Sequence, residues 1–213
     1  MAKTIIFDLD GTLTDSGEGI LKCAELALRH FGVPVPDQQT MRQFVGPPLH
    51  DTFVKFGVPE EHAEEAVAVY RSRYTTVGKF ENTPYPGVHQ LLQALKAEGH
   101  TLLIATSKPE GMSIEITDKF ELSGYFDRIC GASLDRSRSN KEDVIAYLLQ
   151  EYGRSGDMIM VGDTAFDVLG AAAHGIKTIG VSWGYGSVEE MNAAGAIAIA
   201  DTTEQLLRLL NAF

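Results

Sequence analysis

Short apolar runs alternate with helical patterns along most of the chain. Runs rich in β-branched side chains predict buried strands at residues 4–7, 101–105, 128–130, 158–161 and 178–181, with a weaker candidate at 196–200. Apolar residues at helical spacing predict helices between and after them, at residues 88–97, 110–121, 141–152, 165–174, 188–193 and 203–212. This alternation predicts an α/β fold, with a parallel sheet covered by helices on both faces.

The stretch between the first and second predicted strands departs from this alternation. It shows helical periodicity at residues 19–31, 51–56 and 60–77, and no convincing strand. A connection of this length is far longer than a usual link between a strand and a helix. We therefore predict an α/β core formed by residues 1–15 and 84–213, with a small all-helical domain, residues 16–83, inserted after the first strand.

Charge and length limit the classes of partner. The chain has 213 residues, enough to bury a sizeable core, and a formal net charge of -11. This charge repels nucleic-acid backbones and anionic membranes, so we expect neither a nucleic-acid polymer nor a membrane as partner. An anionic substrate would also be repelled unless a local cation offset the field, and a divalent metal ion supplies such a cation.

Several site types and locations are disfavoured by the motifs that the chain lacks. Cys23 and Cys130 are far apart and without metal-binding spacing, which predicts free thiols in a reducing compartment. The sequence contains no signal-peptide pattern and no run long enough to span a bilayer, so we predict a cytoplasmic protein. The histidines lack zinc-site spacing, and neither GxxxxGK nor GxGxxG occurs, which argues against ATP-loop and dinucleotide sites.

Two acidic pairs lie at predicted strand ends. Asp8 and Asp10 follow the first strand, where a parallel sheet binds its ligands, although acidic residues at strand ends are often only solvated turn formers. Asp163 and Asp167 follow the strand predicted at 158–161, and their spacing brings them together across the first turn of a helix. Carboxylates gathered in this way need a cation among them, and Mg²⁺ is the favoured ion.

Four motifs in this order resemble the haloacid dehalogenase superfamily, in the branch of phosphatases with a helical cap inserted after the first strand. The chain is most similar there to phosphoglycolate phosphatases and 5′-nucleotidases, and the resemblance covers essentially its whole length. The motifs are DLDGTLTDS at residues 8–16, IATSKP at 104–109, Lys141 at a helix start, and GDTAFD at 162–167. A lone DxD would be weak support for the resemblance, but the ordered set of four motifs is specific. The resemblance implies a Rossmann-like core.

The resemblance also implies catalytic roles for the first acidic pair. Asp8 would be the nucleophile that attacks phosphorus and forms an acyl phosphate. Asp10 would protonate the leaving alcohol and then deprotonate the attacking water. Dehalogenase members of the superfamily lack an acid at this position, because a halide leaves without a proton, so the chain resembles a phosphatase.

Further residues take binding roles by the same resemblance. Asp8, the backbone carbonyl of Asp10 and Asp163 would hold Mg²⁺, and Asp167 would either bind it through water or serve as an ordinary first-turn acid of its helix. Donors to the phosphoryl oxygens would come from Thr106 or Ser107 and from Lys141. Lys108 is either a weaker contact of this kind or a solvated side chain.

The helical cap is expected to select the substrate by closing over the site. Gly46 opens a rigid GPPL loop that would contact the substrate, and further candidates are Arg42, Lys55 and Lys79. The substrate would be a small phosphorylated metabolite, either phosphoglycolate or a nucleoside 5′-monophosphate. Trp183 and Tyr185 would pack a loop near the site or stack on a base.

Two other functions remain open at this point. The first is a phosphomutase similar to β-phosphoglucomutase, which uses the same aspartyl phosphate but returns the phosphoryl group to a sugar. The second is a non-catalytic phosphate-binding protein, which would have a degraded motif, whereas Asp8, Asp10, Lys141 and Asp163 are all present. We expect a monomer or a small homo-oligomer.

Overall fold

The computed structural model describes residues 2–135, 137–154 and 156–213, and these ranges contain the predicted α/β core. Its strands are β1 (Thr4–Phe7), β2 (Thr14–Asp15), β3 (Thr83–Pro84), β4 (Thr101–Pro109), β5 (Arg128–Ala132), β6 (Met158–Gly162), β7 (Lys177–Val181) and β8 (Ala198–Ala200). One sheet has the order β5-β4-β1-β6-β7-β8 and is parallel throughout, while β2 and β3 form a separate pair. The predicted fold class is confirmed.

The helices follow the predicted alternation, with ends that differ by a few residues. They are α1 (Gly17–His30), α2 (Gln38–Met41), α3 (Leu49–Lys55), α4 (Ala63–Tyr74), α5 (Val88–Ala97), α6 (Glu110–Lys119), α7 (Lys141–Tyr152), α8 (Ala165–Ala172), α9 (Val188–Ala194) and α10 (Thr203–Ala212). In the part of the chain that the structure describes, no helix combines the length and apolarity needed to cross a membrane.

The first strand lies in the middle of the sheet. It pairs with β4 on one side and β6 on the other, so both of its edges are hydrogen-bonded. Ile5 and Phe7 belong to a core cluster that includes residues of α5 and α10, whereas Ile6 packs on the opposite face with residues of α7. This two-faced burial explains why β1 is a continuous apolar run. Its carboxyl end is thus held rigidly at the centre of the sheet edge.

A bulge extends the second core strand beyond its predicted end. The apolar run predicted a strand at 101–105, but β4 continues to Pro109. Thr106 pairs with Gly131 and Pro109 pairs with Ala132, so Ser107 and Lys108 are the extra residues of the bulge. A Cβ atom on Gly131 would lie 2.5 Å from the Lys108 carbonyl oxygen, so the close approach needs glycine. Bulges of this kind re-aim side chains at the end of a strand.

The second compact unit comprises residues Asp15–Thr83 and contains α1 to α4 with short 3-10 turns, while its two end residues belong to β2 and β3. Its core contains α1 and α3 packed on α4, together with an aromatic cluster formed by Phe44, Phe53, Phe56, Tyr70 and Tyr74. The helix predicted at 60–77 was too long. Its first residues form a 3-10 turn, and the hydroxyls of Thr75 and Thr76 donate to backbone carbonyls at its end, which competes with further helical bonds.

Candidate active site

Three buried carboxylates meet at the carboxyl edge of the core sheet. Asp8 leaves β1, Asp163 leaves β6, and Asp167 lies in the first turn of α8; each offers an oxygen within 4.8 Å of the others. The backbone N–H of Asp8 donates to the carbonyl of Val161 at 2.9 Å, which ties the ends of the two neighbouring strands together. Residues 155 positions apart in the chain therefore form one cluster, because β1 and β6 are adjacent.

The structure shows Asp167 as a first-turn acid of α8 that also contacts the cation of the acidic cluster. Its Oδ2 accepts hydrogen bonds from the backbone N–H of Thr164 at 3.0 Å and from the Thr164 hydroxyl at 2.8 Å, so it caps α8. Its Oδ1 lies 2.8 Å from the Lys141 ammonium. The carboxylate is fully buried and links the start of the helix to the acidic cluster.

Lys141 is the cation of this cluster. Its ammonium lies 2.7 Å from Asp8 Oδ1 and 2.8 Å from Asp167 Oδ1, and it donates to the carbonyl of Ala105 at 2.9 Å. Asn140 caps the N-terminus of α7 and so starts the helix at Lys141. Burial disfavours the charged form, but the carboxylates of Asp167 and Asp8 outweigh it and raise the pKa of Lys141. The side chain is held as a buried ammonium.

The acidic cluster has more negative charge than Lys141 neutralises. Burial raises the pKa of Asp8 to about 6, opposed by Lys141 and reinforced by the charge of Asp167. Burial likewise raises the pKa of Asp163 well above its usual range, and Asp167 and Asp8 add to the effect. Three carboxylates against one ammonium form an oxygen-rich donor set that a hard divalent cation fits.

Asp163 is clamped by two loops. Its Oδ1 accepts from the Thr12 hydroxyl at 3.1 Å, and its Oδ2 accepts from the backbone N–H of Tyr185 at 2.8 Å. A Cβ atom would lie 2.2 Å from the Asp163 side chain if placed on Gly11 and 2.3 Å from it on Gly184. The two glycines are therefore required by contact with one carboxylate. This clamp was not predicted, since the spacing of the glycines does not reveal a tertiary contact.

Trp183 packs the second of these loops onto the first. Its indole N–H donates to the backbone carbonyl of Thr12 at 3.1 Å, and its ring lies 6.4 Å from that of Tyr85. The packing interpretation of Trp183 therefore matches the contacts that the structure gives it. The residue supports the loop that holds Asp163.

The bulged end of β4 brings a second lysine to the site. Thr106 is buried, and its hydroxyl oxygen accepts from the backbone N–H of Lys108 at 3.2 Å. The Lys108 ammonium lies 2.5 Å from Asp10 Oδ2, with only 4% of the lysine side chain exposed. The prediction of a solvated Lys108 is wrong, because the bulge turns the side chain inward. Ser107, in the same bulge, is partly exposed.

The predicted cap residues lie in the second unit. Gly46 is exposed there and has a φ of 105°, a left-handed conformation that suits glycine before the two prolines of the loop. Arg42 and Lys55 are exposed, whereas Lys79 is buried with its ammonium 5.0 Å from the Phe80 ring centroid. The substrate contacts of these residues stay predictions.

Comparison with known proteins identifies the family. A family model described as haloacid dehalogenase-like hydrolase matches residues 5–181. The chain belongs to this family. The match spans the strand ends that carry Asp8 and Asp163 and the helix start that carries Lys141. The resemblance read from the four sequence motifs is confirmed.

Relatives of this haloacid dehalogenase-like hydrolase carry several names. A 5′-nucleotidase of Pseudomonas aeruginosa is 42% identical over 89% of this chain and 86% of its own. Tyrosine-protein kinase PtkA of Mycobacterium tuberculosis is 41% identical over 98% of this chain and 72% of its own. A crystal structure of a predicted phosphatase from Clostridium acetobutylicum is 42% identical, with a TM-score of 0.95 over the whole of both chains. Phosphoglycolate phosphatases match at 25 to 31% identity.

Proposed function

We propose that this enzyme is a Mg²⁺-dependent phosphatase that hydrolyses a small phosphate monoester through an acyl phosphate on Asp8. The observation that carries the proposal is the placement of Asp8. It is a buried carboxylate at the central strand end, 2.7 Å from the Lys141 ammonium and clustered with Asp163 and Asp167. Family membership and the phosphatase names of several relatives support the same reaction class.

The reaction follows from the two aspartates after β1. An oxygen of the Asp8 carboxylate attacks phosphorus, and the bond between phosphorus and the ester oxygen breaks. Asp10 gives its proton to the leaving alcohol. Water then attacks the phosphorus of the acyl phosphate while Asp10 takes a proton from it, and the bond to Asp8 breaks. Inorganic phosphate leaves, and both carboxyl groups return to their starting forms.

The metal site that we propose uses the acidic cluster. Asp8, Asp163 and the backbone carbonyl of Asp10 would hold Mg²⁺, and the bound ion would supply the positive charge that offsets repulsion between Asp8 and an incoming phosphate. Asp167 already engages Thr164 and Lys141 through its two oxygens, which favours an orienting or water-mediated role over direct binding.

Lys141 and the end of β4 would bind the phosphoryl oxygens. The Lys141 ammonium touches the nucleophile, so a phosphoryl group transferred to Asp8 forms within its reach. Thr106 is buried in β4, directly after Ala105, whose carbonyl accepts from Lys141. The hydroxyl oxygen of Thr106 accepts a backbone N–H, which leaves its own hydroxyl hydrogen to donate. Ser107 is the second candidate donor on the same bulge.

The substrate is a small phosphorylated metabolite, and a nucleoside 5′-monophosphate is favoured over phosphoglycolate. The support is the 42% identity to a 5′-nucleotidase, against 31% or less for the phosphoglycolate phosphatases. The helical unit, residues 16–83 by our prediction, would be the cap that selects the leaving group through Gly46 and its loop. A cytoplasmic monomer or small homo-oligomer remains our expectation.

Two alternative activities receive less support. A structure described as a β-phosphoglucomutase of Thermotoga maritima matches at 21% identity, which indicates a common fold only. The phosphomutase alternative is therefore not favoured. The relative named as a tyrosine kinase does not change the proposal, because this chain lacks a GxxxxGK phosphate loop and carries the hydrolase motifs in order.

A panel of phosphate esters tests the proposed function. Purified protein is incubated with 5′-nucleotides, phosphoglycolate and hexose phosphates, with Mg²⁺ or with EDTA, and released phosphate is measured. We expect release that requires the metal, with the highest kcat/KM for a 5′-nucleotide. Isomerised sugar phosphate without net phosphate release would instead support a mutase. Folded protein that releases no phosphate from any ester would contradict the proposal.

Replacing Gly184 by Ala tests the metal site separately. The added Cβ would overlap the Asp163 side chain, and a ligand displaced by about 1 Å costs roughly 10²-fold in activity. In the wild type, Mg²⁺ at 100 times its Kd adds about 2.7 kcal/mol of stability. That gain corresponds to a rise in Tm of about 5–10 °C for a chain of this size. We expect the variant to lose most of this metal-dependent rise.

Gly124→Ala is the matched control, because a Cβ atom there meets nothing within 4 Å. Its phosphate release and its thermal shift with Mg²⁺ should equal those of the wild type. If Gly184→Ala keeps the full metal-dependent rise in Tm, Asp163 is not the ligand that we propose.

A further inference from the structure

Lys108 is placed by backbone geometry that depends on several other residues. The bulge that carries it is closed by the pairing of Thr106 and Pro109 with consecutive residues of β5. Gly131 leaves room for the Lys108 carbonyl, and its own N–H donates to Glu110 Oε2 at 3.2 Å. Arg138 Nε donates to the carbonyl of Gly131 at 2.7 Å. The inward direction of Lys108 is thus supported from both strands.

The contact that this geometry creates is a buried ion pair with the proposed acid and base. Lys108 Nζ lies 2.5 Å from Asp10 Oδ2, and the two side chains are 4% and 15% exposed. The other oxygen, Asp10 Oδ1, is buried and has no hydrogen-bond partner among the described residues. A buried carboxylate oxygen that accepts no hydrogen bond is costly, so its retention indicates a use. The two oxygens of Asp10 are therefore unequal.

We propose that Lys108 is a positioning residue for the phosphatase reaction. Its ammonium fixes Asp10 through Oδ2, and this leaves Oδ1 as the oxygen that exchanges protons with the leaving alcohol and the attacking water. Small errors in the direction of an acid or base lower the rate of proton transfer. The inference rests on the proposed function, because it assigns Lys108 a part in the step that Asp10 performs.

The structure favours this role over direct phosphate binding. The cation that touches the nucleophile is Lys141, 2.7 Å from Asp8, whereas the carboxylate at 2.5 Å from Lys108 is Asp10. The two lysines thus divide between the two aspartates of the DxD motif. One neutralises the nucleophile, and the other holds the acid and base.

The test compares esters that differ in their need for an acid. Lys108→Met is assayed with an alkyl phosphate, such as a 5′-nucleotide, and with p-nitrophenyl phosphate, whose leaving group departs with little protonation. Because kcat/KM reports the steps up to departure of that group, we expect a loss of about 10²-fold for the alkyl ester and under about 5-fold for the aryl ester. Equal losses for both esters would overturn the proposal and indicate phosphate binding instead.

Two further variants keep the test decisive. Lys96→Met removes a lysine from another Lys–Asp ion pair, 2.9 Å from Asp127, and should leave both rates unchanged. In an Asp10→Asn background, Lys108→Met should lower kcat/KM by a further factor of less than about 3, because the residue that Lys108 positions has already been replaced. If the double variant loses as much activity as the two single substitutions predict when their effects are combined, the proposal is overturned. Lys108→Gln replaces Lys108→Met if Lys108→Met does not fold. Wild-type inactivity toward every ester would instead contradict the proposed phosphatase function.

Discussion

Asp8→Asn is expected to abolish phosphate release while the protein stays folded. The amide nitrogen replaces a carboxylate oxygen of nearly the same size, so packing at the end of β1 is preserved. An amide does not form the acyl phosphate, and loss of a covalent nucleophile costs roughly 10⁴-fold or more in kcat. Asp8 is buried and its pKa is raised to about 6, so removing its charge relieves repulsion within the acidic cluster. We therefore expect a Tm equal to or above that of the wild type.

The measurement is phosphate release at saturating substrate, with folding followed by circular dichroism. Asp118→Asn, an exposed aspartate on α6, is the matched control and should keep full activity. Retention of a tenth or more of the wild-type kcat by Asp8→Asn would rule out the covalent mechanism. Loss of activity together with loss of folding would instead show that the Asp8 charge is needed by the fold.

Lys141→Met is expected to produce the largest loss of stability. The substitution removes the ammonium that lies within 2.8 Å of two buried carboxylates, Asp8 and Asp167. Breaking a buried ion pair on one side costs about 3–5 kcal/mol, because the remaining charge stays buried without a partner. Activity should fall below detection, since the proposed ligand of the phosphoryl group is also gone. Urea unfolding of wild type and variant measures the difference in unfolding free energy.

The loss of unfolding free energy in Lys141→Met should depend on pH with a definite sign. The pKa of Asp8 is already raised to about 6 in the presence of Lys141, above its unfolded value, so its ionisation lowers stability as pH rises through that range. Without the ammonium the pKa rises further, and the cost of ionisation grows. The unfolding free energy of the variant should therefore be closest to that of the wild type at pH 5 and furthest below it at pH 8.

Two comparisons check this interpretation. Adding Asp167→Asn to Lys141→Met should restore part of the stability and none of the activity, because it removes one of the unpaired charges. Lys96→Met breaks an ion pair whose side chains are 34% and 41% exposed, and should cost less than about 1 kcal/mol. If the stability lost in Lys141→Met does not change with pH, the loss comes from packing and not from unpaired charge.

The sequence allowed prediction of those features that depend on local pattern. Continuous apolar runs located the buried strands, and therefore the strand ends that carry Asp8 and Asp163. Apolar residues at helical spacing predicted the helix that starts at Lys141, and the structure adds Asn140 as its cap. Since the ends of parallel strands share one edge of a sheet, convergence of these residues followed from topology. Recognition of the family then rested on the order of the motifs.

Features that depend on tertiary contact were not predictable in the same way. The inward direction of Lys108 follows from a bulge, which becomes visible only in the register between β4 and β5. The need for glycine at Gly184 comes from the Asp163 side chain, 21 residues earlier in the chain. Neither contact has a repeating spacing. Such residues become identifiable only when the partner that they touch is known.

The central position of β1 has a consequence for how the protein is made. The strand leaves the ribosome before its two neighbours in the sheet, which begin at Thr101 and Met158. Until both have been synthesised, an apolar strand has an unpaired edge that invites association with other chains. Nascent chains that do not yet include the strand beginning at Met158 should thus depend most on chaperones. For the same reason, the acidic cluster forms only after the segment that carries Asp163 and Asp167 has been synthesised.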